Sequence, residues 1–260
     1  MREQLDTRRS IGRWVLPALL LVALVGAWQL AASSGALAGA LHLEEFLVPS
    51  PAEIASALWE NRGLLAENAW VTLREVLLGL LCALGAGLGF AVLLHLSETL
   101  RRAAYPLLVA SQAIPILVVA PILVVWFGYG IGPKLAIVAL ICFFPIAVNA
   151  LDGLRSVDPE AVKMMRTLDA SRGQILWRVE APTSLPYVFS GARIAAAVAL
   201  IGAVFAEWAG SDSGLGHMIL QDNAQLQTAR VFAAVVVLAA IAIALFALLA
   251  LAERRIVTWR

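Results

Sequence analysis

The sequence predicts an all-α membrane protein with six transmembrane helices. Of its 260 residues, 61% are hydrophobic and 14% charged, and the mean hydropathy is +0.86, whereas a soluble domain carries roughly a quarter charged residues. Its apolar runs reach the ~20 residues that a helix needs to cross a bilayer. The runs are continuous, which excludes an outer-membrane barrel with its short alternating strands.

The elements follow in order. Residues 1–13 are a basic tail. The first span, 14–32, is too long for a signal-peptide core and has no clear small-residue cleavage site, so it reads as a retained anchor. Residues 33–72 read as a loop holding a short surface helix. There Ser50 is the N-cap, Pro51 the first helical residue, and Ile54, Leu58 and Leu65 an apolar stripe. A core from 73 to 252 follows, with spans at 73–96, 104–127, 135–154, 185–206 and 231–251, and 253–260 form the tail. In the second span Gly85 and Gly89 have small-xxx-small spacing, with Gly79 and Gly87 nearby. They suit a close helix seam, within the bundle or between subunits, or reflect the general glycine richness of membrane helices. Trp126, Phe127 and Tyr129 suit an aromatic belt at the membrane surface. Cys82 and Cys142 sit in apolar runs and read as small buried hydrophobes.

Orientation follows from Lys and Arg. With the N-terminus in the cytoplasm, the inside holds Arg2, Arg8, Arg9, Arg13, Arg101, Arg102, Arg155, Lys163, Arg166, Arg172, Arg178, Arg254, Arg255 and Arg260. The outside keeps Arg62, Arg74, Lys134 and Arg230. Both termini and the polar segment 155–184 are therefore expected in the cytoplasm.

That segment carries the function. Asp158-Pro159 starts a helix, with Glu160 in its first turn, where a carboxylate suits the helix dipole. Ala161, Val162, Met164, Met165 and Leu168 give it an apolar face. Asp169-Ala170-Ser171 breaks the helix and caps a second, from Ser171 to Val179, which Pro182 and Pro186 are expected to end. This helix–turn–helix lies across the inner membrane surface. Its apolar face packs on lipid or on the bundle, or docks in the groove of a soluble partner.

Read this way, the segment resembles the coupling loop of ABC-importer permeases, whose motif is EAA, three residues, Gly, nine residues, I-x-L-P. Pro182, Ala181 and Val179 match its end, Asp169 takes the Gly position, and Lys163-Met164-Met165 takes the EAA position. Glu160-Ala161-Val162 looks like EAA but lies one turn early. Asp can hold a left-handed turn, less readily than Gly. Further stretches resemble the nitrate/sulfonate/taurine group of these permeases. They are Phe46-Leu47-Val48-Pro49-Ser50-Pro51, then Ile114-Pro115 through Ala120-Pro121 with Trp126-Phe127-Gly128-Tyr129-Gly130, and Gly214-Leu215-Gly216 after Glu207. The stretches 185–191 and 201–208 look most like permeases for thiamin-pyrimidine precursors.

The resemblance implies the type I importer fold and a permease subunit rather than an enzyme. It implies four kinds of partner: a pair of cytoplasmic ATP-binding subunits, a second permease copy, an extracytoplasmic solute-binding protein and the bilayer of a prokaryotic inner membrane. No cofactor, metal or nucleic acid is expected, and the chain has no Gly-x-x-x-x-Gly-Lys-Ser/Thr phosphate loop of its own. Met164, Met165, Leu168 and Ile175 are the expected anchors in the ATPase groove, with Arg166 and Arg172 as rim charges. Polar or proline residues within spans are candidates for the solute pathway, because they are expensive in hydrocarbon. These are Ser111, Gln112, Pro115, Pro121, Asn149 and Glu207, each also explained as a helix–helix contact. The implied solute is small and polar or heterocyclic, with a sulfonate, taurine or nitrate as the alternative. An intramembrane enzyme built on Gly210-Ser211-Asp212-Ser213-Gly214 and His217 is a remote rival, since nucleophile and base would need burial at membrane depth. A purely structural subunit is another.

Overall fold

The computed structural model describes the backbone of residues 2–259 and the side chains of residues 15–259. The side chains of Arg2, Arg8, Arg9, Arg13 and Arg260, which carry part of the orientation argument, lie outside the described residues. The described chain is helical, in the order α1 (Arg2–Ser33), α2 (Ala36–Leu41), α3 (Pro51–Glu60), α4 (Arg62–Leu96), α5 (Glu98–Ser111), α6 (Ile116–Phe127), α7 (Ile131–Arg155), α8 (Pro159–Thr167), α9 (Arg172–Ile175), α10 (Ala181–Gly210), α11 (Leu215–Ala224) and α12 (Thr228–Ile256). Among the described residues, five stretches are long and apolar enough to cross a membrane: Val15–Ser33, Arg62–Leu96, Ile131–Arg155, Arg172–Gly210 and Thr228–Ile256. Counted as one broken span, α5 and α6 make a sixth, bent by 98°.

The chain divides into two compact units, residues 1–65 with 219–236 and residues 66–218 with 237–260. In the first, Ser50 caps α3 as its sequence requires. Its hydroxyl accepts from the Glu53 N–H at 3.3 Å, and Glu53 Oε2 accepts from the Ser50 N–H at 2.7 Å. Ile54 and Ala57 form the buried stripe of α3, and Leu58 is half-buried. Leu65 is buried too, but it belongs to α4. That corrects the expected loop 33–72, because α4 begins at Arg62. Hydropathy marks the stretch that lipid can surround, whereas a helix of Leu, Ala and Glu continues past it into water. The Ala52 N–H donates to Gln29 Oε1 at 2.9 Å, tying α3 to α1.

The second unit holds the main core. Val76, Leu80 and Ala83 of α4 meet Val138, Cys142 and Ile146 of α7, Ala195, Ala196, Ala199, Leu200 and Ala203 of α10, and Leu245 of α12. In lipid such packing rests on close van der Waals contact, which small residues permit. The glycine seam is real but differs from expectation. A methyl at Gly87 would come within 2.8 Å of Ile146 Cγ2, and one at Gly79 would strike Val138, while Gly85 and Gly89 meet nothing within 4 Å. Gly79 and Gly87, two turns apart, form the face against α7. Cys142 is buried, but Cys82 is exposed, contrary to its reading as a buried residue.

Two expectations about spans are corrected by proline chemistry. The third span is not continuous over 104–127. Pro115 has no N–H and drives the preceding residue out of helical geometry. α5 therefore closes in a tight turn, with the N–H groups of Gln112, Ala113 and Ile114 donating to Val109, Ala110 and Ser111. Conversely, Pro182 and Pro186 do not end the helix that begins at Arg172. Leu176–Glu180 form a π-turn, in which the Ala181 N–H reaches back to the Leu176 carbonyl. Widened turns of this kind re-satisfy the backbone near a proline, and the helix runs on to Gly210.

Candidate functional site

The segment between α7 and α10 is an elbow fixed by its own caps. Asp158 Oδ1 accepts from the Glu160 N–H at 2.9 Å at the start of α8. At its end the Asp169 N–H donates to Arg166 and the Ala170 N–H to Met165, both at 3.0 Å. Asp169 sits at φ 58°. These are the two bonds of a Schellman cap, with Asp in the left-handed place that glycine usually fills. Ser171 then opens α9 with a second capping box. It accepts from the Gln174 N–H at 3.3 Å, and its own N–H donates to Gln174 Oε1 at 2.8 Å. With both helix ends and the reversal between them capped, the elbow has a defined shape.

Its tip and root differ in chemistry. Glu160, Lys163 and Arg166 are exposed, Met165 and Pro182 are half-buried, and Met164 and Leu168 are 63% and 69% exposed. Ile175 is 1% exposed. It is buried within its own chain and does not serve as an anchor for a partner, which corrects that expectation. Ile175 and the following Leu176 are both buried within this chain, so the inward side of this half is wide. Trp177, 75% exposed, presents the outward apolar surface of this half instead. Leu176 joins Ala91 and Leu94 of α4 and Ala150, Leu151 and Leu154 of α7 in a buried cluster. Arg172 is not simply a rim charge, because its guanidinium bonds Glu180 Oε1 at 2.9 Å. Glu180, which sequence reasoning missed, is buried and also lies 2.9 Å from His95 Nε2.

The pathway candidates separate. Ser111, Gln112 and Pro115 line one open cleft of about 440 Å³ at the break between α5 and α6, with Ile114, Val119 and Ile141. The Ser111 hydroxyl donates to the Leu108 carbonyl at 2.7 Å. Pro121 lies further along α6, exposed. Asn149 donates to the Pro145 carbonyl at 2.7 Å, and a methyl on Gly191 would come within 2.9 Å of its Cβ. It is a contact between α7 and α10.

Glu207 is a structural carboxylate, 1% exposed. It accepts from Thr72 Oγ1 at 2.6 Å and from the backbone N–H groups of Gly216 and His217. The Leu215 N–H in turn donates to Thr72 Oγ1 at 2.9 Å. Gly214, at φ 110°, leaves the space that the Glu207 carboxylate fills, and a methyl at Gly216 would meet Val204 Cα at 2.9 Å. The Gly-Leu-Gly after Glu207 is thus the lid of a carboxylate site. Beside it lies a buried ion pair, Lys134 Nζ to Glu75 Oε1 at 2.7 Å, also missed from sequence. The available signal was Thr72-x-x-Glu75, one helical turn apart at the head of an apolar run. Ser211 bonds the Lys134 ammonium and the Ser213 carbonyl, and His217 is held through its backbone. These groups build the turn.

An all-helical chain with five or six apolar spans and a capped elbow between two of them has the build of a multi-pass transport subunit. Residues 76–258 match the family described as binding-protein-dependent transport system inner membrane component, and the chain belongs to that family. The formylaminopyrimidine transport permease protein ThiX of Halalkalibacterium halodurans is 35% identical over 245 residues, covering 94% of this chain and 95% of its own. The taurine transport system permease protein TauC of Escherichia coli is 29% identical over 266 residues, covering 100% and 97%. Among solved structures, an inward-facing MetNI methionine ABC transporter aligns with a TM-score of 0.63 at 21% identity, over 76% of this chain and 96% of that one. The fold is therefore that of a type I ABC importer permease. The protein is the permease subunit of an ABC importer for a small solute, a transport subunit rather than an enzyme.

Proposed function

We propose that the elbow, residues 158–180, docks in a groove of a cytoplasmic ATP-binding subunit, and that ATP-driven closure of a pair of such subunits moves it as a lever. The observation that carries this reading is the exposure of Met164, Leu168 and Trp177, at 63%, 69% and 75%, on a segment whose α8 is capped at both ends and whose α9 is capped at its start. Large apolar side chains on a rigid polar segment are what a helix-in-groove contact uses. The excess of Lys and Arg in this segment and near both termini supports a cytoplasmic location for all three. On this reading the chain divides into a cytoplasmic tail to residue 13, a first span, an outer segment that ends in the head of α4, a permease core whose membrane part runs from about 73 to 252, and a cytoplasmic tail. A second permease copy completes the pathway, supported by the cleft at the α5–α6 break, which opens on the chain's surface with Ser111, Gln112 and Pro115. A solute-binding protein delivers cargo from outside.

The favoured solute is a thiamin-pyrimidine precursor, supported by the similarity to ThiX and by the stretches 185–191 and 201–208. The similarity to TauC favours the second reading, a sulfonate or taurine. Coexpression with the partner ATPase tests docking. Met164→Arg or Trp177→Arg is expected to leave an inserted permease that no longer copurifies with the ATPase and no longer supports uptake. Normal copurification and uptake in both variants reject the groove contact. Binding-protein-dependent uptake of labelled formylaminopyrimidine and taurine separates the solutes, and accumulation of taurine alone replaces the first choice by the second.

A further inference from the structure

Glu180 closes the π-turn at the root of the elbow, and its side chain is 4% exposed. Its two oxygens are held by different elements. Oε2 lies 2.9 Å from His95 Nε2, next to the last residue of α4. Oε1 accepts from Arg172 NH1 at 2.9 Å, at the start of α9. Arg172 NH2 is in turn 3.1 Å from His95 Nε2, so the three side chains form a closed triangle. A carboxylate buried this deeply is costly unless charged or hydrogen-bonding partners surround it. The π-turn that carries it is a locally widened stretch, a place where a helix bends readily. Leu176, in the same turn, packs against Leu94 of α4 and Leu151 of α7.

We infer that Glu180 is a positioning residue that clamps the elbow to the end of α4, so that elbow displacement reaches the spans instead of being absorbed by the π-turn. The inference rests on the docking reading, but it concerns transmission and not attachment. A clamp of this kind is separate from the exposed tip: Met164 and Leu168 hold the motor, and Glu180, Arg172 and His95 hold the lever to the gate.

The test uses the full complex, permease with its ATPase and solute-binding protein, reconstituted in proteoliposomes, and reads solute taken up per ATP hydrolysed. Glu180→Gln and His95→Gln are expected to copurify with the ATPase and to hydrolyse ATP, while uptake per ATP falls about tenfold or more from the loss of charge-assisted bonds. Hydrolysis in these variants is expected to lose its dependence on loaded binding protein. The double variant is expected to be no worse than the poorer single one. Wild-type uptake per ATP in Glu180→Gln overturns the inference, as does a loss of uptake that only tracks a loss of inserted protein. Should Glu180→Gln not insert, Arg172→Gln, at a side chain 43% exposed, reads the same ratio, and an unchanged value there overturns it. Met164→Arg in parallel separates the two ideas: if it keeps the ATPase bound, docking fails, whatever Glu180 does.

Discussion

Asp169 shows how a single backbone angle can stand in for a motif. The left-handed conformation costs an L-residue about 1–2 kcal/mol, least for Asp and Asn, whose short side chains bond locally. At φ 58° Asp169 pays that cost and completes the Schellman cap of α8. Asp169→Gly removes the strain and is expected to leave uptake unchanged. Asp169→Val places a β-branched residue where it is most strained and is expected to cost about 1–2 kcal/mol of elbow stability. Thermal unfolding of the solubilised permease and copurification of the ATPase check both. Glu207 is the second residue whose environment decides its meaning. Its partners are Thr72 and two backbone N–H groups, so Glu207→Ala takes the acceptor from the Gly216 and His217 N–H groups, while the Thr72 hydroxyl keeps the Asn68 carbonyl at 3.2 Å. Each unsatisfied buried group costs about 1–3 kcal/mol, and the variant is expected to accumulate poorly. Thr72→Val, which removes one donor, is expected to lie between it and wild type. Equal membrane levels of all three proteins would contradict this account.

Among the helices, the seam between α4 and α7 gives a sharp comparison. Gly87→Leu inserts a side chain where a single methyl already stands 2.8 Å from Ile146. Overpacking of this kind costs about 1–3 kcal/mol, read as a lower melting temperature. Gly85→Leu, on a face with no neighbour within 4 Å, is expected to leave the melting temperature unchanged. Four glycines within one apolar run announce a seam, but their spacing does not say which face meets α7, because that depends on helix rotation set by distant contacts. The same limit recurs elsewhere. The caps at Ser50, Asp158 and Ser171 were legible because capping is local, a side chain bonding a backbone group two or three residues away. The break at Pro115 and the passage of the helix through Pro182 and Pro186 were not, since both follow one rule about proline and only the surrounding packing decides between bend and π-turn. Ile175 was misplaced for a related reason: it and Trp177 are both large and apolar, two residues apart, and only the docking of Leu176 on α4 and α7 decides that Ile175 is the one turned inward. The pairs Glu75–Lys134 and Glu180–His95 join residues 59 and 85 positions apart; Thr72-x-x-Glu75 flags one carboxylate, but neither pairing left a pattern in the chain.

At the scale of the whole molecule, the proposed function depends on sidedness. The elbow and the Glu207 turn are held by separate groups of side chains, and the proposed orientation, drawn from the positive-inside rule, requires them on opposite faces of the bilayer, the elbow in the cytoplasm. Single cysteines make that measurable. Cys82 is exposed on an apolar stretch and is replaced by Ala first, while Cys142 is buried in the core and stays silent. Met164→Cys, on the tip that is exposed when the permease is expressed without its ATPase, is then expected to react with a membrane-impermeant maleimide in inside-out vesicles and to resist it in intact cells. Asp212→Cys, in the turn above Glu207, is expected to behave the opposite way. The argument is one of access alone, because a charged reagent does not cross the hydrocarbon core and a thiolate forms only where water reaches it. Labelling of Met164→Cys from outside the cell would put the elbow beyond any cytoplasmic motor, and the lever, its clamp at Glu180 and the import direction would fall with it.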